Sequence, residues 1–234
     1  MLLRDVSTLK NFYQYVVPHL KENECLLILL IARKKYYPQL HKSEEVLARE
    51  ILRDNSWSKF KRKVKRISNV KEIYFDRDGN EIPEEAFGVY VLLDPRDTIY
   101  AWIKFQEETN KLFYQAFKGD NSAIHQFKKL DIRWFSALHR STSRKIYWLI
   151  DVDTKDKNLL NFLTNSLEDN VVWISETKNG YHLIVLRNSE SARILFRERV
   201  VEKVTDIEVL KQPLTPIPGT LQGGNLVRPV KIEM

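Results

Sequence analysis

Two aspartates one residue apart give the sequence its clearest chemical signal. Asp151 and Asp153 end the strand-like stretch "RKIYWLIDVDTKD". Because side chains alternate across a strand, both carboxylates lie on one side, while Trp148, Ile150 and Val152 lie on the other and enter a core. Two carboxylates on one face repel and are costly to desolvate, unless a divalent cation such as Mg²⁺ or Mn²⁺ lies between them. The simpler interpretation is a pair of exposed aspartates that caps the following helix.

A turn and a histidine follow in the stretch "ETKNGYHLIV". The turn offers backbone N–H groups and the side chain of Lys178, and Gly180 precedes His182 by two residues. In a split βαβ arrangement the first and third strands are neighbours, so we expect His182 on the same surface as the aspartates. A histidine and a lysine there would suit a triphosphate. The plain structural interpretation is a histidine satisfied inside a half-buried sheet.

A third carboxylate is expected from the stretch "VTDIEVL". Asp206 opens a strand, and Glu208 stands two residues on and on the same face. The sequence leaves open which of the two joins the aspartate pair. The stretch "PIPGTLQGGNLVRP" then forms a Pro- and Gly-shaped loop with Arg228 near its end, for which a plain surface loop is the alternative.

The elements that position these residues follow a regular order from residue 144. Two helices and four extended segments alternate there, with Ser189 as the expected cap of the second helix: "KIYWLIDVD", "KDKNLLNFLTNSLED", "VVWIS", "YHLIVL", "SESARILFRERVVEKV" and "DIEVL". This β-α-β-β-α-β order is that of ferredoxin-like and RNA-recognition folds. "LVRPVKIEM" predicts one more strand. We therefore expect an α+β protein within the broader α/β class.

The first 85 residues are predicted to be mainly helical. The expected helices are "VSTLKNFYQYVVPHL" with Ser7 as N-cap, "SEEVLAREIL" opening at Ser43, and "SWSKFKRKVKRI". "FGVYVLLDPRD" predicts a strand that ends in a Pro turn, and helical sequence resumes at 97–117. We divide the chain into a mainly helical part, 1–85, and a part with the RNA-recognition-like order, 86–234, within one compact unit.

Composition restricts the classes of function. Apolar residues make up 43% of the 234 residues, which supports a real core. The net charge of +7 favours an anionic partner such as nucleic acid, nucleotides or a membrane surface. The third predicted helix is strongly basic, which indicates either a solvated face or a contact to a phosphate backbone. Its candidate nucleic-acid-binding residues are Lys59, Lys61, Arg62 and Lys65.

Cysteine usage and apolar runs bear on location. The single cysteine, Cys25, excludes a disulfide framework and a cysteine zinc site. The N-terminus lacks the order of a signal peptide, and the longest apolar run, "CLLILLIA" at 25–32, is too short to span a bilayer and indicates a buried helix or strand. We expect a soluble, intracellular, cytoplasmic protein with no membrane partner and no zinc.

Taken together, these motifs resemble the archaeo-eukaryotic primase superfamily, the primase–polymerases. "LIDVD" is similar to the family's first motif, "GYH" to its second and "VTD" to its third. "LLDPRD" is similar to the Asn-Pro-Arg-type turn of several viral, plasmid and CRISPR-associated members, and "IPGTLQGG" to their glycine loop. The resemblance covers roughly residues 88–230.

The resemblance implies a DNA primase or polymerase, which transfers nucleotides to a strand under the direction of a template. It implies that Asp151, Asp153 and Asp206 bind two divalent ions, Mg²⁺ or Mn²⁺, which align the 3′-hydroxyl and stabilise charge on the α-phosphate and the leaving pyrophosphate. It implies nucleotide contacts from His182, Lys178, Gly180, Arg140, Ser141, Arg144, Arg228 and Arg96. Within that set, "HRSTSRK" would form a phosphate cradle.

The implied partners are a single-stranded or primed DNA template and dNTP or NTP substrates. Many family members also have zinc-binding cysteines, a C-terminal helical domain or a fused helicase. The single cysteine excludes the first, and the chain ends a few residues after its last predicted strand. We therefore expect extension more firmly than priming, with a helicase or priming domain supplied on another chain.

Other classes share parts of this pattern. A non-catalytic RNA-recognition-like module would use the aromatic strand "K/R-G-F/Y-G/A-F-V-x-F/Y", which this sequence lacks. A rolling-circle replication initiator needs a His-hydrophobe-His pair, and "HLI" supplies one histidine. A polymerase-β-type nucleotidyltransferase needs Gly-Ser before the aspartates, where "STSRK" stands instead. A metal-dependent nuclease stays open, although it leaves the His–Lys turn unexplained.

Overall fold

The computed structural model describes residues 1–70, 73–197, 206–210 and 212–230, which form an α+β fold with two antiparallel sheets. The described helices are α1 (Val6–Tyr15), α2 (Trp57–Ser68), α3 (Thr98–Phe117), α4 (Asn121–Phe127), α5 (Leu130–Arg140), α6 (Lys157–Leu167) and α7 (Ser189–Ala192). A π-helix, Arg193–Arg197, continues α7. None of the described helices combines the length and the apolar character needed to cross a membrane.

The strands divide between the two sheets. They are β1 (Glu24–Arg33), β2 (Glu44–Leu52), β3 (Phe87–Asp97), β4 (Tyr147–Val152), β5 (Val171–Glu176), β6 (Tyr181–Leu186), β7 (Ile207–Leu210), β8 (Leu214–Pro216), β9 (Leu221–Gln222), β10 (Asn225–Leu226) and β11 (Arg228–Pro229). The first sheet has the order β10-β9-β3-β1-β2, with β8 also paired to β3. The second has the order β11-β5-β6-β4-β7.

Strand β1 lies at the centre of the first sheet and is apolar on both faces. Leu26 and Ile28 belong to a core cluster shared with α1 and α2, whereas Leu27 and Leu29 belong to a cluster shared with α3 and α5. A strand covered on both faces is a continuous apolar run rather than an alternating one. The run 25–32 is therefore a buried strand.

The prediction that residues 1–85 are mainly helical is wrong. Two helices do form there, but β1 and β2 fill much of this part, and β1 pairs with β3 across the predicted boundary. The stretch opening at Ser43 is strand β2 rather than a helix, because it pairs along β1 from Arg33↔Glu44 to Leu26↔Leu52. Sheet pairing and burial override the helix propensity of its Glu, Ala and Leu residues.

Three local predictions also differ from the structure. Asp5 caps α1 by accepting from the amides of Ser7 and Thr8, so the expected cap Ser7 is a donor to it. Asn188, not Ser189, caps α7. Strand β3 runs through Pro95 instead of ending in a turn. Its register against β1 shifts there, and a strand tolerates proline at such a bulge.

The predicted β-α-β-β-α-β order is confirmed. Strands β4 to β7 lie in the order β5-β6-β4-β7, so the first and third strands of the unit are central neighbours. One face of this sheet packs on α6 through Ile150 and Val152. The end of the predicted second helix, at 198–205, and the last predicted strand residues, 231–234, lie outside the described residues.

Candidate functional site

Asp151 is flanked by titratable side chains on both neighbouring strands. It pairs with His182 of β6 on one side and with Glu208 of β7 on the other. Directly opposed residues of antiparallel strands project from the same face, so the three side chains are neighbours. Leu149 and Ile184, on that same face, join the core cluster of β1 and β3. The site therefore lies on the face that packs toward the first sheet.

His182 and Asp151 form an ion pair within this face. His182 Nε2 lies 3.1 Å from Asp151 Oδ1, and the two side chains are 7% and 22% exposed. An ionised carboxylate can only accept, so a proton on Nε2 would be directed at Asp151, while Nδ1 lies 3.3 Å from the Thr215 hydroxyl. Burial raises the pKa of Asp151, but the His182 hydrogen bond and the charges of His182, Lys35 and Arg33 lower it below its usual value on balance. Asp151 is thus held ionised.

Asp153 and Asp206 extend the carboxylate face beyond the strand ends. The Asp153 amide donates to the Asp206 carbonyl at 2.9 Å, and both side chains are exposed. By alternation, Asp153 shares the face of Asp151, and Asp206 that of Glu208. The aspartate pair does not cap α6, because Asp156 is its N-cap and accepts from the Asn158 amide at 2.8 Å. The helix-cap interpretation is therefore wrong.

The donor set fits a hard divalent cation in ligand type and in placement on one face. Carboxylate oxygens are the ligands that Mg²⁺ and Mn²⁺ prefer. Among the described residues, no three His, Cys, Asp or Glu side chains are close enough together to hold an ion in their present rotamers. Asp153, Asp206 and Glu208 are exposed, and exposed side chains change rotamer within nanoseconds.

The first sheet supplies positive charge to this face. The sequence analysis did not identify the residues that carry this charge. Arg33 at the end of β1 and Lys35 just beyond it both lower the pKa of Asp151. Arg33 also pairs with Glu44 at 3.6 Å and lies 4.8 Å from the ring centre of Tyr90. The sequence feature that could have indicated these cations is the basic and aromatic run "ARKKYY", which directly follows the apolar strand.

The predicted Lys-Asn-Gly turn and the glycine loop meet at Tyr36. Lys178 Nζ donates to the Gly223 carbonyl at 3.0 Å and lies 4.8 Å from the ring centre of Tyr36. Gly223 has φ 57°, and a Cβ there would lie 2.9 Å from the Tyr36 ring. The Tyr36 hydroxyl is buried without a hydrogen-bond partner among the described residues, and burial raises its pKa. This polar pocket borders the carboxylate face, since Asp151 and Asp153 also raise that pKa.

Gly180 fixes the turn against the end of β4. A Cβ at this position would lie 1.8 Å from the Val152 carbonyl oxygen, so only glycine fits. The Thr177 hydroxyl accepts from the Gly180 amide at 3.2 Å. Gly180 therefore positions the turn, and with it Lys178, beside the aspartates. Arg228 lies exposed on the neighbouring edge strand, opposite Glu176.

The predicted phosphate cradle lies at the other end of the first sheet. Arg144 forms a two-pronged ion pair with the buried Glu24, with both N···O distances 3.0 Å. Glu24 begins β1 and Arg33 ends it, and a strand of that length spans about 30 Å. Arg144 is therefore remote from Asp151, because the extended chain between them runs the length of β4. The structure therefore does not bring Arg144 together with the aspartates, and its nucleotide contact stays a prediction.

The other members of that cradle are also structural. Arg140 pairs with Glu108 at 2.7 Å, and the buried Ser141 hydroxyl donates to the Ala137 carbonyl at 2.7 Å. They also lie away from the aspartates, because the Ser141 carbonyl accepts from the Asp97 amide, opposite the start of β1. Their nucleotide contacts stay predictions.

Arg96 is fully buried at this remote end. It pairs in register with Cys25, and its Nη1 donates to the His139 carbonyl at 2.9 Å and to the Thr142 hydroxyl. Burial lowers its pKa, and Asp94 opposes that effect in part. Arg96 therefore anchors the β3 bulge to the end of α5, away from the aspartates, and its nucleotide contact stays a prediction.

The basic face of α2 is divided by its ion pairs. Lys59 pairs with Asp54, and Lys61 is exposed. Arg62 and Lys65 instead line a groove of about 540 Å³ between α2 and β2. No ion pair within the described residues involves either of these two, so they are the cations on this helix best placed for a phosphate backbone.

Comparisons with protein-family models, with curated proteins and with solved structures give no match. A function for the chain is therefore inferred from the fold and from the geometry of the carboxylate face.

Proposed function

We propose that this chain is a nucleotidyltransferase of the primase–polymerase class, which extends or primes a DNA strand on a template. The observation that carries the proposal is the cross-strand set of Asp151, His182 and Glu208 on one face of a split βαβ sheet, continued by Asp153 and Asp206. The four carboxylates of this set are costly on one face without a cation, because like charges side by side destabilise a sheet. The proposal rests on this arrangement together with the resemblance of the motifs.

The carboxylates would hold two divalent ions, Mg²⁺ or Mn²⁺. When bound, such ions align a 3′-hydroxyl and stabilise charge on the α-phosphate and the leaving pyrophosphate. The contribution of the protein itself is to keep Asp151 ionised and oriented, which the His182 hydrogen bond supports. Asp206 and Glu208 both remain candidates for the third carboxylate, since Asp206 adjoins Asp153 and Glu208 adjoins Asp151.

The triphosphate would bind between the carboxylates and the first sheet. Arg33, Lys35 and Lys178 bring three positive charges to the border of the face, which suits a polyanion. His182 was expected to contact the triphosphate directly, but both of its ring nitrogens have protein partners in this structure. We therefore assign it the role of positioning Asp151, and a direct phosphate contact stays a prediction.

Nucleotide incorporation tests the proposal. Labelled dNTPs and NTPs are offered with Mg²⁺ or Mn²⁺ to a primed template and to an unprimed single strand. The comparison uses wild type, Asp151→Ala and the matched control Asp169→Ala, an exposed carboxylate of the 3₁₀ turn after α6. Circular dichroism of each variant separates loss of chemistry from loss of fold.

Each outcome assigns a function. Products on both templates that disappear in Asp151→Ala alone support a primase–polymerase. Extension of the primed template alone supports a polymerase that needs a priming domain or a helicase from another chain. A folded Asp151→Ala variant with undiminished synthesis contradicts the proposed site. Absence of product with tight single-strand binding favours the non-catalytic binding module or a replication initiator.

A further inference from the structure

Helix α3 exposes a second apolar stripe, and within the described residues the fold partly covers it at Phe113, whose ring lies edge-on to Phe127 of α4 with the ring centres 6.2 Å apart. Its inner side is anchored by the buried Ala101 and Leu112. On the other side, Ile99, Ile103 and Phe117 are 61%, 47% and 85% exposed. A surface helix needs only one apolar stripe to pack on its core. The outer stripe therefore indicates an interaction site, because large exposed apolar patches are typical of such sites.

The spacing of this outer stripe is that of a two-helix seam. Successive positions are separated by four, three, four, three and four residues, the heptad pattern that keeps one face toward a second helix. All six positions are exposed, and together they span about 27 Å of helix. They are Ile99, Ile103, Gln106, Asn110, Phe113 and Phe117, referred to below as the α3 seam.

The α3 seam is complementary to itself when two copies run antiparallel. Reversing the helix about residue 108 places Ile99 opposite Phe117, Ile103 opposite Phe113, and Gln106 opposite Asn110. Each apolar layer then contains one Ile and one Phe, which keeps the helix separation uniform. The central layers contain paired amides, which can exchange hydrogen bonds. A parallel pair would instead place Phe on Phe and Ile on Ile, with uneven layers.

We infer that α3 forms the interface of a homodimer, in which two copies of the chain join along the α3 seam by an antiparallel two-fold contact. A two-fold interface is built from the same surface patch of each subunit, which the reversed pairing satisfies. The buried amides fix the register, a role that single polar layers play in coiled coils. Glu107 lies beside the two-fold axis, and its carboxylate is already paired with Lys104 of the same helix at 3.3 Å.

A nucleic acid is a poorer fit to this surface. Bases bind single-strand sites by stacking on aromatic rings beside cations. Ile99 and Ile103 offer no ring, and the seam itself contains no charged residue. An isologous protein contact uses all six positions, whereas base stacking would use only Phe113 and Phe117.

Light scattering of the full chain tests the inference. The chain is loaded at about 100 μM and diluted stepwise, because an interface made by one helix per subunit is small and small interfaces bind weakly. We expect a mass that approaches twice the 27.8 kDa of one chain and falls on dilution. Ile103→Glu and Phe113→Lys should each give monomers, since each places an unpaired charge in the seam.

The double variant I103E/F113K tests the direction of the helices. In the antiparallel pair the new carboxylate at position 103 of each copy faces the new ammonium group at position 113 of the other copy, so the dimer should return. In a parallel pair each new carboxylate would face the carboxylate of the other copy, and each new ammonium group the other ammonium group, so the dimer would not return. Phe162→Lys, an equally exposed apolar residue of α6 at 46%, should leave the dimer unchanged.

Three results would overturn the inference. They are a wild type that stays at the mass of one chain at every loading, a dimer that survives both single variants, and a double variant as monomeric as its parents. All of these readouts are independent of nucleotide incorporation.

Discussion

His182 Nε2 lies 3.1 Å from Asp151 Oδ1 across two central strands, and its other ring nitrogen, Nδ1, lies 3.3 Å from the Thr215 hydroxyl. The histidine is thereby held between the Asp151 carboxylate and β8, a strand of the first sheet. This resembles the way in which outer-shell partners orient a ligand in metal sites. Its effect is electrostatic as well as geometric, because the hydrogen bond and charge of His182 oppose the rise in pKa that burial imposes on Asp151.

Replacing His182 should shift the pH dependence of synthesis. In His182→Ala the burial that raises the pKa of Asp151 remains, while the hydrogen bond that lowers it is lost. The pKa of Asp151 therefore rises, and the acidic limb of the pH–rate profile moves to higher pH. At neutral pH we expect incorporation to fall about 10- to 100-fold, as for loss of an outer-shell partner.

His182→Gln is the matched variant, because its side-chain amide keeps a donor near the Nε2 position. It should restore most of the rate and the original acidic limb. If alanine and glutamine reduce the rate equally without a shift of the limb, His182 contacts the triphosphate rather than positioning Asp151.

Gly180→Ala should disable the site through the backbone. The added Cβ would meet the Val152 carbonyl oxygen at 1.8 Å, which pushes the turn away from the end of β4. We expect a loss of about 3 kcal/mol in the free energy of unfolding by urea, the upper end for overpacking, and a loss of nucleotide incorporation.

Gly119→Ala is the control, since its Cβ would meet nothing within 4 Å and only its φ of +88° opposes alanine. It should cost about 1 kcal/mol and retain activity. Equal effects of the two changes would contradict the close approach at Gly180.

The second sheet could be predicted because its information is local. Alternation along β4 separates Asp151 from Ile150, and the short turn before Tyr181 forces β5 and β6 into a hairpin. That His182 and Asp151 share a surface then follows from the strand order, whereas the register that places them directly opposite each other is seen only in the structure. The alternation, the hairpin and the shared surface need no knowledge of distant parts of the chain.

The first sheet could not be predicted in the same way. Strand β2 contains good helix formers and becomes a strand because β1 offers it a long apolar partner. Which end of β1 approaches β4 is likewise a tertiary outcome. Arg33 therefore lies by Asp151, whereas Arg144, only seven residues before Asp151 in sequence, lies at the far end with Glu24.

Arg144→Met should reduce stability rather than nucleotide binding. Burial raises the pKa of Glu24, but the hydrogen bonds from Arg144, the Lys21 amide and Ser143, with the Arg144 charge, lower it from 4.5 to about 2. Because the folded pKa is depressed, this stabilisation is complete above pH 4.5 and is lost as the pH falls toward about 2. At neutral pH we expect a loss of about 3 kcal/mol in the free energy of unfolding by urea.

The difference between wild type and Arg144→Met should shrink below pH 4.5, where Glu24 of the unfolded chain begins to protonate while folded wild type keeps it ionised down to about pH 2. Arg140→Met serves as the control, because it breaks the more exposed pair with Glu108 and should cost less than about 1 kcal/mol. A variant of Arg144 with unchanged stability and weakened nucleotide binding would restore the predicted phosphate cradle.

The groove between α2 and β2 should account for the salt dependence of DNA binding. Arg62→Gln/Lys65→Gln removes two cations from the groove wall, where Arg49 and Arg66 also lie. Each phosphate contact to a single strand contributes about 0.7 to the slope of log K against log salt, so the slope should become shallower by about 1.4. Fluorescence anisotropy of a labelled single strand over a salt series measures this slope.

The control is Lys59→Gln/Lys61→Gln, which removes the same charge from the same helix but outside the groove, with Lys59 already paired to Asp54. Equal changes in both variants would mean that the helix acts through its total charge, and an unchanged slope in both would mean that α2 is simply a solvated face.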